Sequence, residues 1–296
     1  MADFKFKYPC LFDVSDSKSL QFQKIYVRLN KFTLFLLVLS TILSAYSFEK
    51  KEINLISTAF LFISLTLTII LMVIKPEKGW YDGRAIAESI KSLSWKFVTG
   101  TTPFIDSLSL EEAEERLIKN FKKIIGQKKD FFSLVGWDFA QFEQITDFMR
   151  KLRESDLENR IKVYSANRLE EQKKWYSEKS TANRKNRSKY FTLIILFQLI
   201  AFASLIITYF FEIPIVLSPF FVCIASSLIA WLQLKKFQEL TQSYSIAAAE
   251  LSMIKSKLHH IKTQDDLSRF VDDAENAISR EHTLWLARRG SIELFE

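Results

Sequence analysis

The chain has 296 residues, of which 41 are Lys or Arg and 34 are Asp or Glu, and it is 48% hydrophobic with a net charge of +7. Two regions, Phe32 to Ile74 and Tyr190 to Leu234, are nearly free of charge while the rest is dense in it, which excludes an ordinary soluble globule; 27 Phe and 6 Trp exclude intrinsic disorder. Six Gly and five Pro favour long helices, and two cysteines, Cys10 and Cys223, cannot build a disulfide framework.

In chain order, Phe32 to Phe48 gives 17 uncharged residues, and Ile53 to Ile74, Tyr190 to Phe211 and Ile213 to Leu234 give 22 each. At about 1.5 Å per residue, such a run reaches roughly 33 Å and crosses a hydrocarbon core of about 30 Å. The first run is short and must borrow its flanks. It starts after 31 mostly polar residues and a second span follows it closely, so it reads as a retained anchor rather than a signal peptide. Glu49-Lys50-Lys51-Glu52 turns the first pair and Glu212 with Pro214 the second. The expected fold is an all-α membrane protein with four transmembrane helices in two hairpins and long amphipathic cytoplasmic helices. The hairpin tips hold two of the bases, Lys50 and Lys51, and the other 39 lie on the opposite side. By the positive-inside rule, both termini and the middle segment face the cytoplasm.

After the second span, Arg84 and Glu88 stand one helical turn apart and Glu88 also reaches Lys91, while Ile86, Ile90, Leu93 and Phe97 form the opposite, apolar face. Leu110, Ala113, Leu117, Phe121 and Ile124 form a second stripe, with Glu111, Glu112, Glu114 and Glu115 in its first turn. Gly126, Gly136 and the run Phe131 to Trp137 break the pattern. Beyond them, Phe142, Ile145, Met149, Leu152, Leu157, Ile161, Tyr164, Arg168 and Trp175 predict one helix running into the third span. A basic run, Lys173, Lys174, Lys179, Arg184, Lys185, Arg187 and Lys189, borders that span and suits anionic headgroups; no motif for nucleic acid accompanies it. Past the fourth span, Phe237, Leu240, Tyr244, Ala247, Leu251, Ile254, Leu258 and Ile261 form a heptad seam, which packs either on a helix of the same chain or on a second copy. Leu267, Phe270, Ala274, Ile278 and Trp285 mark a terminal amphipathic helix. Phe32-Thr33-Leu34 recurs as Phe191-Thr192-Leu193 and Ala87-Glu88 as Ala249-Glu250, which predicts two modules, 1–130 and 131–296.

Catalytic chemistry is not expected. The chain has no nucleophile elbow, no phosphate-binding glycine loop and no zinc-binding His-Glu-x-x-His; adjacent His259 and His260 point about 100° apart on a helix. No cofactor or metal is implied. The spans hold no charge, unlike those of coupled carriers, but they do hold small polar residues. Ser57, Ser64 and Thr68 share a face of the second span, and Gln198, Ser204 and Thr208 are candidates on the third. Such groups hydrogen-bond between helices or line a water path.

The tract Trp80-Tyr81-Asp82-Gly83-Arg84-Ala85-Ile86-Ala87-Glu88-Ser89-Ile90-Lys91-Ser92-Leu93-Ser94-Trp95 resembles the bacterial SLATT family of SMODS- and SLOG-associating two-transmembrane effectors. Tyr164, Arg168, Trp175-Tyr176, Ile278, Glu281-His282 and Trp285 resemble the same helices in a second copy. The resemblance implies a membrane effector of a conflict or antiphage system in the bacterial inner membrane, forming a homo-oligomeric pore or disrupting the bilayer when a sensor protein or nucleotide signal triggers it. Trp80, Arg84, Glu88, Lys91, Trp95, Trp175, Glu281, His282 and Trp285 are then candidates for packing or gating. The alternative is a non-conducting scaffold that anchors a cytosolic sensor or enzyme.

Overall fold

In the computed structural model, residues 6–45, 51–135, 143–212 and 215–287 are described, with side chains to residue 279 in the last stretch. Their regular elements are all helical: α1 (Cys10–Ala45), α2 (Lys51–Ile74), α3 (Pro76–Thr99), α4 (Leu110–Gln127), α5 (Lys129–Val135), α6 (Asp147–Arg153), α7 (Leu157–Tyr164), a π-wound turn (Ser165–Glu170), α8 (Glu171–Phe211), α9 (Ser218–Lys235), α10 (Phe237–Ser256) with a 3₁₀ turn (Lys257–His260), and α11 (Gln264–Ala287). Among the described residues, four helical stretches are long and apolar enough to cross a membrane. The tips at 46–50 and 213–214 lie outside the described residues, as do Gly136, Trp137 and Phe142 of the expected boundary.

The chain divides into two compact units. The spanning unit comprises 23–76 and 181–241. It is built inside out: Leu55, Phe62, Phe202 and Phe211 are exposed, whereas Ser40, Ser57, Ser64, Ala201 and Ala225 are buried. Small residues let helix backbones approach where lipid, not water, surrounds them. The Ser40 and Ser57 hydroxyls lie 3.0 Å apart and hold α1 beside α2. Phe197 stacks near Phe221, ring centroids 6.4 Å apart, between α8 and α9.

Two joints in this unit are alike. Lys75, between α2 and α3, and Lys236, between α9 and α10, both adopt left-handed backbone, φ 47° and 50°. Each N–H donates to the carbonyl four residues back, Leu71 and Leu232. A side chain in this conformation costs about 1 kcal/mol. The joints lie 161 positions apart, matching the spacing of the sequence repeats.

The charged unit comprises 1–22, 77–180 and 242–296. Its axis is α3, in which Ile86, Ile90, Trp95, Phe97 and Val98 are all buried. Gly79 and Gly83 admit α1: a Cβ at Gly79 would lie 2.7 Å from the Phe22 ring, and one at Gly83 would lie 2.9 Å from Ser19. Ala113, Leu117 and Phe121 of α4 and Leu267, Phe270, Ala274 and Ile278 of α11 complete the core. Ser109 and Glu112 cap α4 reciprocally, side chain to backbone in both directions.

Three side chains close the C-terminal end of α3, where carbonyls lack helical partners. Arg153 donates to the carbonyls of Phe97 (2.8 Å), Phe104 (3.0 Å) and Ile105 (3.2 Å). Arg160 bridges to Asp106 at 2.6 Å, and Gln264 donates to the carbonyls of Thr99 and Gly100.

The single helix expected from Phe142 onward is interrupted. Thr146 caps α6 and Asp156 caps α7, each accepting from a backbone N–H three residues on, so the chain turns at 154–156 before one continuous run begins at Leu157. Along that run Arg160, Tyr164, Arg168, Gln172, Tyr176 and Ser180 are buried at strict intervals of four. In an α-helix such a stripe drifts by about 40° per step. The wider π turn at Ser165–Glu170 takes part of that drift back and keeps the stripe on the core.

The heptad seam packs within its own chain. Ala247 and Leu251 are buried in the core, and Tyr244, Ile254, Leu258 and Ile261 pack against it. Leu251→Ala is therefore expected to lower the unfolding midpoint, a loss of about 2–5 kcal/mol, while native mass in detergent stays the same. Thermal unfolding and native mass spectrometry read the two quantities, and a lower mass would place the seam between chains.

Candidate functional site

Resemblance-bearing residues from both halves, among them Arg84, Glu88, Lys91, Trp95, Tyr164, Arg168 and Trp175, gather in the charged unit around one buried ion pair. Arg168, on the π turn, and Glu275, on α11, are each 1% exposed. The guanidinium grips the carboxylate with two bonds, Nε to Oε1 at 2.8 Å and Nη2 to Oε2 at 2.7 Å. Tyr164 donates its hydroxyl to the same Oε1 at 3.0 Å. Burial disfavours the charge on Arg168, but the adjacent Glu275 outweighs it and holds the guanidinium protonated. Burial, reinforced by Glu275, pushes the Tyr164 phenol far above its usual range.

Trp95 lies against this pair. Its ring is edge-on to Tyr164 at 5.7 Å, and its indole N–H donates to the Tyr8 hydroxyl at 2.9 Å. Lys91 sits over the Tyr8 ring at 5.6 Å. Burial, with help from Arg168, lowers the affinity of Lys91 for its proton, while Glu88 opposes the shift. Burial also raises the Tyr8 phenol, against the pull of Arg168 and the Trp95 bond.

Two turns before Lys91 on α3, Arg84 bridges to Glu88 at 2.8 Å and approaches Asp16 of α1 at 4.0 Å. Its guanidinium stands 5.8 Å over the Trp175 ring. Trp175, Tyr176 and Tyr244 form a ring triangle with centroids 5.2 to 5.5 Å apart, joining α8 to α10. Trp80 lies at the edge of the cluster, its ring 4.9 Å from Tyr81 and its carbonyl accepting from Ser19 at 2.9 Å. Glu281, His282 and Trp285 have helical backbone in α11, but their side chains lie outside the described residues.

The sequence reading missed Glu275 and Tyr8. Glu275 was legible as an acid on the same helical face as Val271, Ala274 and Ile278, all buried. Tyr8 carries no such signal, because it precedes any periodic segment.

The remaining candidates separate. Ser57 and Ser64 are buried inside the spanning unit, where Ser57 pairs with Ser40. Thr68 bonds back to the Ser64 carbonyl at 3.0 Å. Ser204 and Thr208 are half-buried, and Gln198 is exposed on α8 with no hydrogen-bond partner among the described residues. Of the headgroup candidates, Lys179 stands over Trp175 at 5.8 Å, Arg187 over Phe191 at 5.5 Å, and Arg184, Lys185 and Lys189 are exposed. Among the described residues, no group of three His, Cys, Asp or Glu could hold a metal ion.

Glu275→Gln strands a buried guanidinium and should cost about 3–5 kcal/mol; Arg168→Met with Glu275→Leu should recover most of it in thermal unfolding. Tyr8 gives a pH-dependent companion test. Its folded pKa is raised, so its contribution is complete below the unfolded value of about 10 and is lost as pH rises above that. Tyr8→Phe should therefore show a shallower loss of stability above about pH 10, measured by denaturant titration across pH.

A family model described as SMODS and SLOG-associating 2TM effector domain 3 matches residues 9–161, and one described as SMODS and SLOG-associating 2TM effector domain 1 matches residues 164–285. No curated protein and no solved structure matches the chain. The first match alone spans more than half of the sequence, and the buried pair Arg168–Glu275 lies within the second. The chain belongs to the SLATT family, as a membrane protein with two of its effector domains in tandem.

Proposed function

We propose that this protein is the membrane effector of a bacterial conflict or antiphage system, which assembles in the inner membrane and opens a passive path when triggered. The observation that carries this reading is Gln198. It lies mid-span on α8, faces outward from the single chain and has no partner among the described residues. A primary amide left in hydrocarbon is costly, so assembly that brings Gln198 to water or to another copy relieves it. The absence of charge from all four apolar runs supports passive flow over coupled transport. The buried charge network fits a trigger relay, since it joins α3, the π turn and α11 at one point. A sensor protein or nucleotide signal supplies the trigger, no bond-making chemistry is involved, and no nucleic acid is bound.

In this reading both termini and the charged unit are cytoplasmic, as the 39-to-2 division of bases implies. With Cys10 and Cys223 first replaced by Ser, a cysteine at Glu212 should label with an impermeant reagent in intact cells, and one at exposed Lys123 should not. Labelling at Lys123 alone would reverse the orientation.

Ion leakage from liposomes holding the purified chain tests the path itself. Wild type should leak once triggered, and Gln198→Leu should leak less at equal protein content. Tight liposomes under every trigger would favour the scaffold reading, in which the protein only anchors a cytosolic partner.

A further inference from the structure

The second half of α4 and the start of α5 form a basic face on the charged unit. Residues 116–129 hold six Lys and Arg and no acid. Arg116 donates to the Pro103 carbonyl at 2.8 Å, and Lys128 bridges to Asp82 at 2.9 Å. Lys119, Lys122, Lys123 and Lys129 are exposed, and none bonds to a carboxylate among the described residues.

Beside these lysines lies a cavity of about 150 Å³, walled by Leu11 of α1, Ile118, Phe121 and Ile125 of α4, and Phe132 of α5. Lys122 also borders it, one turn from both Ile118 and Ile125, so an exposed ammonium stands at its rim. Lys129 precedes Phe132 by one turn of α5, and Lys119 precedes Lys122 by one turn of α4. Gln144 is the other polar group at the wall, and its amide oxygen accepts from the Leu11 N–H at 3.1 Å. Walls of this kind around about 150 Å³ admit one group the size of a benzene ring.

We infer that this face docks an acidic amphipathic helix of a partner protein, with one Phe or Leu of that helix in the cavity and its carboxylates against Lys119, Lys122 and Lys129. The occupant must join one apolar anchor to several acids, because the lysines are spread over ten residues of chain around a cavity with room for one side chain. A helix with acids one turn to either side of an apolar residue meets both demands. A small carboxylate brings a single charge, and a phospholipid brings two acyl chains to a space for one ring. A nucleobase would leave the donors and acceptors of its edge unpaired against these walls. The buried anchor supplies affinity, and the lysines supply orientation and association rate. The inference goes beyond the pore reading and does not depend on it.

The test uses the full chain in phosphatidylcholine nanodiscs and a fluorescent helical peptide that carries a single Phe with Glu residues one turn to either side, read by anisotropy. The peptide should bind, replacing its Phe by Ala should weaken binding about tenfold or more, and high salt should slow association. Lys119→Glu with Lys122→Glu should weaken binding about fivefold at an unchanged unfolding midpoint, whereas Lys162→Glu, at an exposed position of α7, should leave it as it is. Should the double variant fail to fold, Lys122→Gln alone must weaken binding about twofold. No binding, equal binding of the Phe and Ala peptides, or undiminished binding by the lysine variants overturns the site. Displacement of the peptide by octanoate at equal concentration makes this a small-carboxylate site, and displacement by phosphatidylglycerol or single-stranded RNA of equal charge makes it a lipid or nucleic-acid surface; each overturns the partner assignment. None of these readings involves conductance, so they stand or fall separately from the pore.

Discussion

The charged unit depends on keeping Arg168 and Glu275 together away from water. Neither ion could be buried alone, because desolvation would cost several kcal/mol that no apolar contact returns. The geometry meets that cost with two charge-assisted bonds and a third from Tyr164. This requirement orients the helices around it. The π turn presents Arg168, α11 must place the buried Glu275 carboxylate opposite, and Trp95 of α3 must pack on Tyr164 at the correct tilt. An apolar core would tolerate sliding between these helices, but a bidentate pair would not.

The spanning unit follows the opposite logic. Its interior is rich in small and hydroxyl-bearing residues, with Leu36 and Ile194 also buried, and its exterior carries Leu, Ile and Phe, because in lipid close packing and hydrogen bonds replace the hydrophobic effect between helices. Its Lys and Arg are banded beside the apolar runs, in 24–31, at 75, in 184–189 and at 235–236. The joints at Lys75 and Lys236 follow the second and fourth apolar helices, one in each of the two matched family domains, and both turn through left-handed backbone. Two family domains in tandem account for the interleaving of the two units in sequence. Each repeat contributes a pair of spans to one unit and helices to the other.

Much of the candidate site was legible because its residues break their local pattern. Arg168 interrupts an apolar stripe, and the Arg84–Glu88 spacing predicts a pair that forms at 2.8 Å. The heptad seam was legible as a buried face but not as to its partner, since antiparallel contacts within a chain and parallel contacts between chains use the same spacing. Only the packing of Leu251 in the core decided that it folds back. The sequence pattern places Trp175 on the apolar stripe, and the structure buries its neighbour Tyr176 instead. The strict four-residue stripe, corrected by the π turn, buries Tyr176 and leaves Trp175 to cover Arg84.

By itself the sequence determined the helical class, the four apolar runs, the division between charged and uncharged regions and the family, because hydrophobic period and charge density are local and survive without knowledge of contacts. Tertiary structure alone decided which acid neutralises Arg168, that Tyr8 caps Trp95, and that Arg153 and Arg160 close the end of α3. These are pairings over separations of tens to more than a hundred residues. No local pattern specifies them, since an arginine's partner is chosen by where helices cross and by which acid arrives there without solvent.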